Sequence, residues 1–204
     1  MKKDRIDVNH FKFKLEVEQV LRMTDCTKEN PLYQELSGVL QKLWKEKLEI
    51  WEPKAYIQGM LLTQNIWGYA CLMTLGEKVS EEIEQFQQKD MMAAFLLDGL
   101  ANQLMFQMDE QLQETVKQLC REEHHGISGR MEAPLNYPIE IQQRILKEME
   151  KQGDLPVQLT SAYMLQPEKS MIVFYPWAAE ENCMELKHDC KKCPKKNCAL
   201  RKEL

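Results

Sequence analysis

The stretch Leu159-Thr160-Ser161-Ala162-Tyr163-Met164-Leu165-Gln166-Pro167-Glu168-Lys169-Ser170, followed directly by Met171–Tyr175 (MIVFY), decides how the rest of the chain is read. Val157, Leu159, Ser161, Tyr163 and Leu165 alternate with Gln158, Thr160, Ala162 and Met164, which predicts a half-buried strand. Pro167-Glu168-Lys169 turns the chain, and the unbroken apolar run MIVFY predicts a buried strand after the turn. A sheet is thus expected near the C-terminal end. The question for the remaining sequence is what covers it.

Upstream, Pro138 suits the first turn of a helix over about 139–152, closed by Gly153. His124-His125-Gly126 ends a longer helix that Asp90 can cap. Its stripe of Leu97, Leu100, Ala101, Leu104, Met108, Leu112, Val116 and Leu119 predicts the central core helix, running to about Cys120. Ser80, with Glu81 and Glu82 in the first turn, is expected to cap a further helix. Residues 55–75 are enriched in aromatic and β-branched side chains and read as strands, with a buried helix as the alternative. Residues 11–50 read as mostly helical, with Asn30-Pro31 as a break. Helices and strands are mixed without a βαβ rhythm, so the fold class expected is α+β.

At 204 residues there is room for one compact domain and a short tail. Net charge of −5 argues against a general nucleic-acid binder. The longest apolar stretch, Ile66–Met73, falls far short of the roughly 20 residues that span a bilayer, and the N-terminus has no apolar signal-peptide core. A cytoplasmic location is expected. No P-loop, GxGxxG or GxSxG sequence appears, which leaves nucleotide-phosphate chemistry and serine hydrolysis without support. Adjacent residues on a helix point in different directions, so Glu122-Glu123-His124-His125 reads as a polar helix end.

Cys26, Cys71 and Cys120 are isolated and read as buried small apolar residues, whereas Cys183, Cys190, Cys193 and Cys198 crowd into 16 residues. In a reducing compartment such a cluster is a candidate metal site. Four thiolates complete a tetrahedral zinc site or hold a [4Fe–4S] cluster, and the neighbouring lysines lower thiol pKa. A redox-active basic tail is the plainer alternative. The organisation expected is therefore a domain over residues 1–177 and a Cys-rich tail over 178–204.

The order of several landmarks adds to this reading: Thr74-Leu75-Gly76, Leu96-Leu97-Asp98-Gly99-Leu100-Ala101, Gly126-Ile127-Ser128-Gly129-Arg130, Tyr137-Pro138, and finally the 159–170 segment. In this order and spacing, residues 60–175 resemble the activation domain of cobalamin (vitamin B12)-dependent methionine synthase, particularly its free-standing clostridial-type relatives. The resemblance implies a C-shaped α+β domain with helices and an antiparallel sheet that binds S-adenosylmethionine. It further implies reductive reactivation of a corrinoid protein that has slipped to Co(II), with S-adenosylmethionine as methyl donor. The matching turn, residues 130–138, would hold the ligand through Arg130, Glu132, Asn136 and Tyr137. An arginine fork suits an amino-acid carboxylate, and Tyr137 would pack on the adenine or the sulfonium. No segment resembles a cobalamin-binding motif, so the cobalamin is expected on a separate methionine synthase or corrinoid protein. An electron donor such as flavodoxin or ferredoxin would complete the system. Because the reaction needs an electron, a [4Fe–4S] cluster at the four cysteines fits better than zinc, which cannot change oxidation state. The other function class expected is a non-catalytic, metal-binding partner or chaperone of a corrinoid methyltransferase that has lost S-adenosylmethionine binding.

Overall fold

Three long strands carry apolar residues on both faces, and this dictates a sheet covered on both sides. In a computed structural model, which describes residues 4–47, 51–63 and 65–186, the sheet is five-stranded and antiparallel, in the order β1-β2-β3-β7-β4. Its strands are β1 (Ile6–Val8), β2 (Lys54–Thr63), β3 (Ile66–Thr74), β4 (Gly126–Ile127) and β7 (Ser170–Ala178). One face turns Ala55, Ile57, Tyr69, Cys71, Met73, Val173 and Tyr175 into a first core with the helices α1 (Val17–Met23), α2 (Tyr33–Lys47), α3 (Glu77–Lys89) and α4 (Met91–Glu122). The alternate residues Tyr56, Met60, Leu62, Ala70, Leu72, Ile172 and Phe174 form a second core under α5 (Ile141–Glu150). The architecture is α+β, as the sequence predicts.

The central helix is the one expected. Its 32 residues begin at Met91, capped by Asp90, whose side chain accepts from the Ala93 amide at 3.0 Å, and it buries the apolar stripe against the sheet. Other local expectations need correction. The helix before it starts at Glu77, with Gly76 rather than Ser80 at the cap, because Gly76 takes φ +88 where the chain leaves β3. The alternation over 157–165 is a two-stranded hairpin of β5 (Gln158–Leu159) and β6 (Leu165–Gln166), not one strand. The chain reverses between them through Tyr163 at φ 60, with Thr160 and Met164 bonded across the turn.

Residues 11–16 are not helical. They run extended along α4, with Phe11, Phe13 and Leu15 packed on the first core. The backbone between them is taken up by three glutamines of α4. Gln111 accepts from the Lys12 amide and donates to its carbonyl, Gln107 does the same for Lys14, and Gln103 for Glu16, at 2.7–3.1 Å. The match is geometric: four helical residues advance about 6 Å, and two strand residues about 6.6 Å. Side-chain amides at i, i+4 and i+8 therefore present donor and acceptor pairs at nearly the spacing of a neighbouring strand.

The cysteines Cys26, Cys71 and Cys120 are buried. Burial, with Glu123 nearby, pushes the Cys120 thiol up to about 12, and burial beside Asp109 drives Cys71 upward as well. Two outcomes are predicted. Replacing Gln107 with Ala costs about 1–2 kcal/mol in urea unfolding, and Gln107→Glu costs no less, because a carboxylate cannot donate to the Lys14 carbonyl. Iodoacetamide at pH 8.5 leaves Cys71 and Cys120 unmodified in peptide mapping of the native chain, and modifies both once the chain is unfolded in denaturant.

Candidate functional site

The turn that carries Arg130 is fastened to β7 along its outer edge. Ser128 donates its amide to the Pro176 carbonyl at 2.9 Å, and Met131 exchanges both backbone hydrogen bonds with Phe174 at 2.8 and 2.9 Å. Met131 packs with the second core, so the adjacent Arg130 is directed to the other side of the strand, beside Tyr175 and α4.

There the guanidinium enters a nearly closed cluster. Its Nη1 bonds the Asp109 carboxylate and its Nε bonds the Glu132 carboxylate. The Tyr175 hydroxyl donates to Asp109 Oδ1 at 2.9 Å, and the Gln113 side-chain amide donates to Oδ2 at 2.8 Å. The Arg130 and Asp109 side chains are 7% and 6% exposed, while Glu132 keeps 27%. Burial by itself disfavours the charged guanidinium, but Asp109, Tyr175 and Glu132 outweigh it, and the arginine pKa rises. Burial first, and then the Asp109 charge, push the Tyr175 hydroxyl well above its ordinary range. Arg130 therefore does not present an open fork: one guanidinium faces two carboxylates of its own chain.

The other expected site residues are placed as follows. Asn136 closes the turn, its side-chain oxygen accepting from the Glu132 amide at 2.9 Å and its own amide donating to the Glu132 carbonyl at 2.8 Å. Tyr137 is 4% exposed and packs in the second core, so no ring face is open to an adenine or a sulfonium in this conformation. Burial raises its pKa, with the Glu132 charge adding to the effect. Arg130, Glu132 and Asn136 thus come together, and Tyr137 supports the turn from behind.

Of the cysteine cluster, Cys183 is half-buried and donates its thiol to the Ile127 carbonyl at 3.2 Å; Cys190, Cys193 and Cys198 lie outside the described residues. Among the described residues no three His, Cys, Asp or Glu side chains converge as metal ligands. Residues 183–186 are fixed to the fold. Ile127 and Cys183 are joined by an amide-to-carbonyl bond of 2.6 Å, Glu185 donates to Ile127 at 3.0 Å, and Leu186 is buried in the first core. Gly126 permits this approach, since a Cβ there would run into the Glu180 and Cys183 carbonyls.

Sequence reasoning missed Asp109 and Tyr175. Asp109 lies four residues after Met105 and three before Leu112, so an acid occupies a core-facing position of the stripe, and that was the available signal. It also missed that two sequence landmarks touch: Lys169 of the 159–170 segment bonds Asp98 at 2.6 Å and Asn102 at 3.0 Å on α4. At the far end of α4, Trp177 is stacked between Trp67 and His125 at centroid distances of 6.0 and 4.5 Å.

No protein-family model and no curated protein matches the chain. Among solved structures it is similar to "Crystal Structure of the MetH Reactivation Domain bound to AdoHcy", with a TM-score of 0.58 at 14% identity, covering 84% of this chain and 78% of that one. The chain therefore has the fold of that reactivation domain, with the α+β arrangement of sheet and helices set out above. No helix among the described residues is long and apolar enough to cross a membrane.

The cluster makes a sharp mutational prediction. Asp109→Asn leaves a buried guanidinium short of its most buried counter-charge and is expected to cost about 3 kcal/mol or more in denaturant unfolding. The double variant Asp109→Asn/Arg130→Met is expected to cost less than the sum of the two single changes by over about 1 kcal/mol. Additive losses would contradict the pairing.

Proposed function

We propose that this chain binds S-adenosylmethionine at the turn 130–138 and serves the reductive reactivation of a separate cobalamin-carrying methionine synthase or other corrinoid protein. The observation that carries the reading is the place of Arg130: a guanidinium braced by Asp109 and Tyr175 at a turn beside β7, in a fold shared with a reactivation domain bound to AdoHcy. In the reaction, the partner's Co(II) takes one electron from a donor such as flavodoxin or ferredoxin. The resulting Co(I) takes the methyl group from the sulfonium, releasing S-adenosylhomocysteine.

This chain's own residues hold and orient the donor. Arg130 offers hydrogen bonds to the ligand carboxylate, Glu132 and Asn136 shape the rim of the turn, and Tyr137 keeps the turn seated on the second core. Cys183, Cys190, Cys193 and Cys198 are proposed to hold a [4Fe–4S] cluster that could relay an electron, with zinc as the alternative. The supporting argument is the sequence spacing alone.

One observation favours a second reading, a metal-binding partner of a corrinoid methyltransferase that no longer binds the methyl donor: Arg130 is already paired with Asp109 and Glu132. Titration calorimetry separates the two. Saturable S-adenosylmethionine binding that Arg130→Ala abolishes supports reactivation. No heat at millimolar ligand, with Arg130→Ala indistinguishable from the parent, leaves the partner reading. Iron, sulfide and zinc analysis of anaerobically purified chain tests the tail; a metal-free protein would end the relay proposal.

A further inference from the structure

Holding a nucleobase by stacking needs an aromatic ring with a free face close to the ligand's anchor. Six aromatic side chains lie on the elements that meet at the Arg130–Asp109 pair: Phe95 and Phe106 on α4, Tyr137 on the turn, and Phe174, Tyr175 and Trp177 on β7. Most of them are unsuited. Tyr137, Phe174 and Tyr175 are buried in the two cores. Trp177 has Trp67 on one side and His125 on the other. Phe95 is exposed, but at 1.5 Å per residue it stands roughly 20 Å along α4 from Asp109.

Phe106 is left. It belongs to neither core and keeps 37% of its surface open. Asn102, Phe106 and Asp109 are spaced four and three residues apart, so they share one face of α4. Lys169 meets this face at Asn102, at 3.0 Å, and Arg130 meets it at Asp109. Side chains lean toward the N-terminus of their helix, so the Phe106 ring covers the interval between these two charged contacts. Single exposed phenylalanines are common on protein surfaces, but this one is set within about a turn of the residue that braces Arg130.

We propose that Phe106 is a specificity-determining residue of the ligand site: its open ring face carries the adenine of S-adenosylmethionine while Arg130 holds the α-carboxylate. The proposal rests on the reading above that the turn takes this ligand. The base is the ligand's one planar group, and it is the natural partner for a bare ring that neither core uses. Holding the amino-acid end by charge and the base by stacking fixes the sulfonium between two anchors. Phe106 thereby supplies the ring face that Tyr137, turned into the second core, does not offer.

The test follows S-adenosylmethionine on the parent chain, on Phe106→Ala and on Phe106→Tyr, by calorimetry and by proton resonance of the bound ligand. In the parent, the adenine ring protons are expected to move upfield at saturation, under the ring current of Phe106, and the sulfonium methyl to move less. Phe106→Ala is expected to bind about tenfold more weakly and to lose the upfield shift, because one stacking contact is gone. Phe106→Tyr keeps a ring face and is expected to hold its affinity within about twofold of the parent. Since Phe106 lies outside both cores, the three chains are expected to share one melting temperature. Adenine resonances that stay in place on the saturated parent refute the stacking while the ligand reading stands. So does a Phe106→Ala affinity equal to the parent's, or a Phe106→Tyr affinity as weak as that of Phe106→Ala. If the parent binds no S-adenosylmethionine, the ligand reading fails and the role of Phe106 falls with it.

Discussion

One buried ion pair holds together the three elements that build the candidate site. Arg130 comes from the turn after β4, Asp109 from the middle of α4, and Tyr175 from β7, and they meet where each is shielded from water. Two charges taken out of water gain little net stability from each other. What they supply is registration: if the turn slips along β7, or α4 rotates, a charge is left unpaired in the interior. The backbone bonds of Met131 to Phe174 fix the same turn from the other side of the strand. The position of the guanidinium is thus determined twice, once by strand pairing and once by charge.

The helix that supplies Asp109 has three distinct faces. One buries the apolar stripe against the sheet. A second carries the glutamines that bind the extended segment 11–16, and a third carries Asp98, Asn102 and Asp109, which receive Lys169 and Arg130. Because one unbroken helix of 32 residues carries all three, these faces keep a fixed angular relation. The segment 11–16, the β6–β7 turn and the Arg130 turn are therefore positioned relative to one another through a single rigid element.

Much of the fold was legible in the sequence. The stripe of α4, its Asp90 cap and the buried run of β7 follow from periodicity and local hydrogen bonding, which act over a few residues. The segment 11–16 was not legible, because its secondary structure is dictated by glutamines some 90 residues away. The hairpin over 157–166 was hidden for a related reason: two short strands and one longer strand show the same alternation, and only the left-handed backbone at Tyr163 separates them. At the candidate site, Arg130, Glu132 and Asn136 were singled out through the order of motifs, and the structure brings them together. Their electrostatic state was not legible, since whether an arginine fork is open or filled depends on Asp109 and Tyr175, both distant in the chain. Tyr137, singled out with them, is turned into the second core.

On the proposed reading, the Arg130 guanidinium, held from behind by Asp109, is the seat of a sulfonium-bearing amino-acid ligand. The most direct measurement follows the Arg130 side-chain Nε–H by nuclear magnetic resonance as S-adenosylmethionine is added. A saturable shift of that resonance is expected as the ligand carboxylate docks on Arg130, with the Gln113 side-chain amide unmoved because Asp109 keeps its place. An Arg130 resonance that stays fixed to millimolar ligand would contradict it.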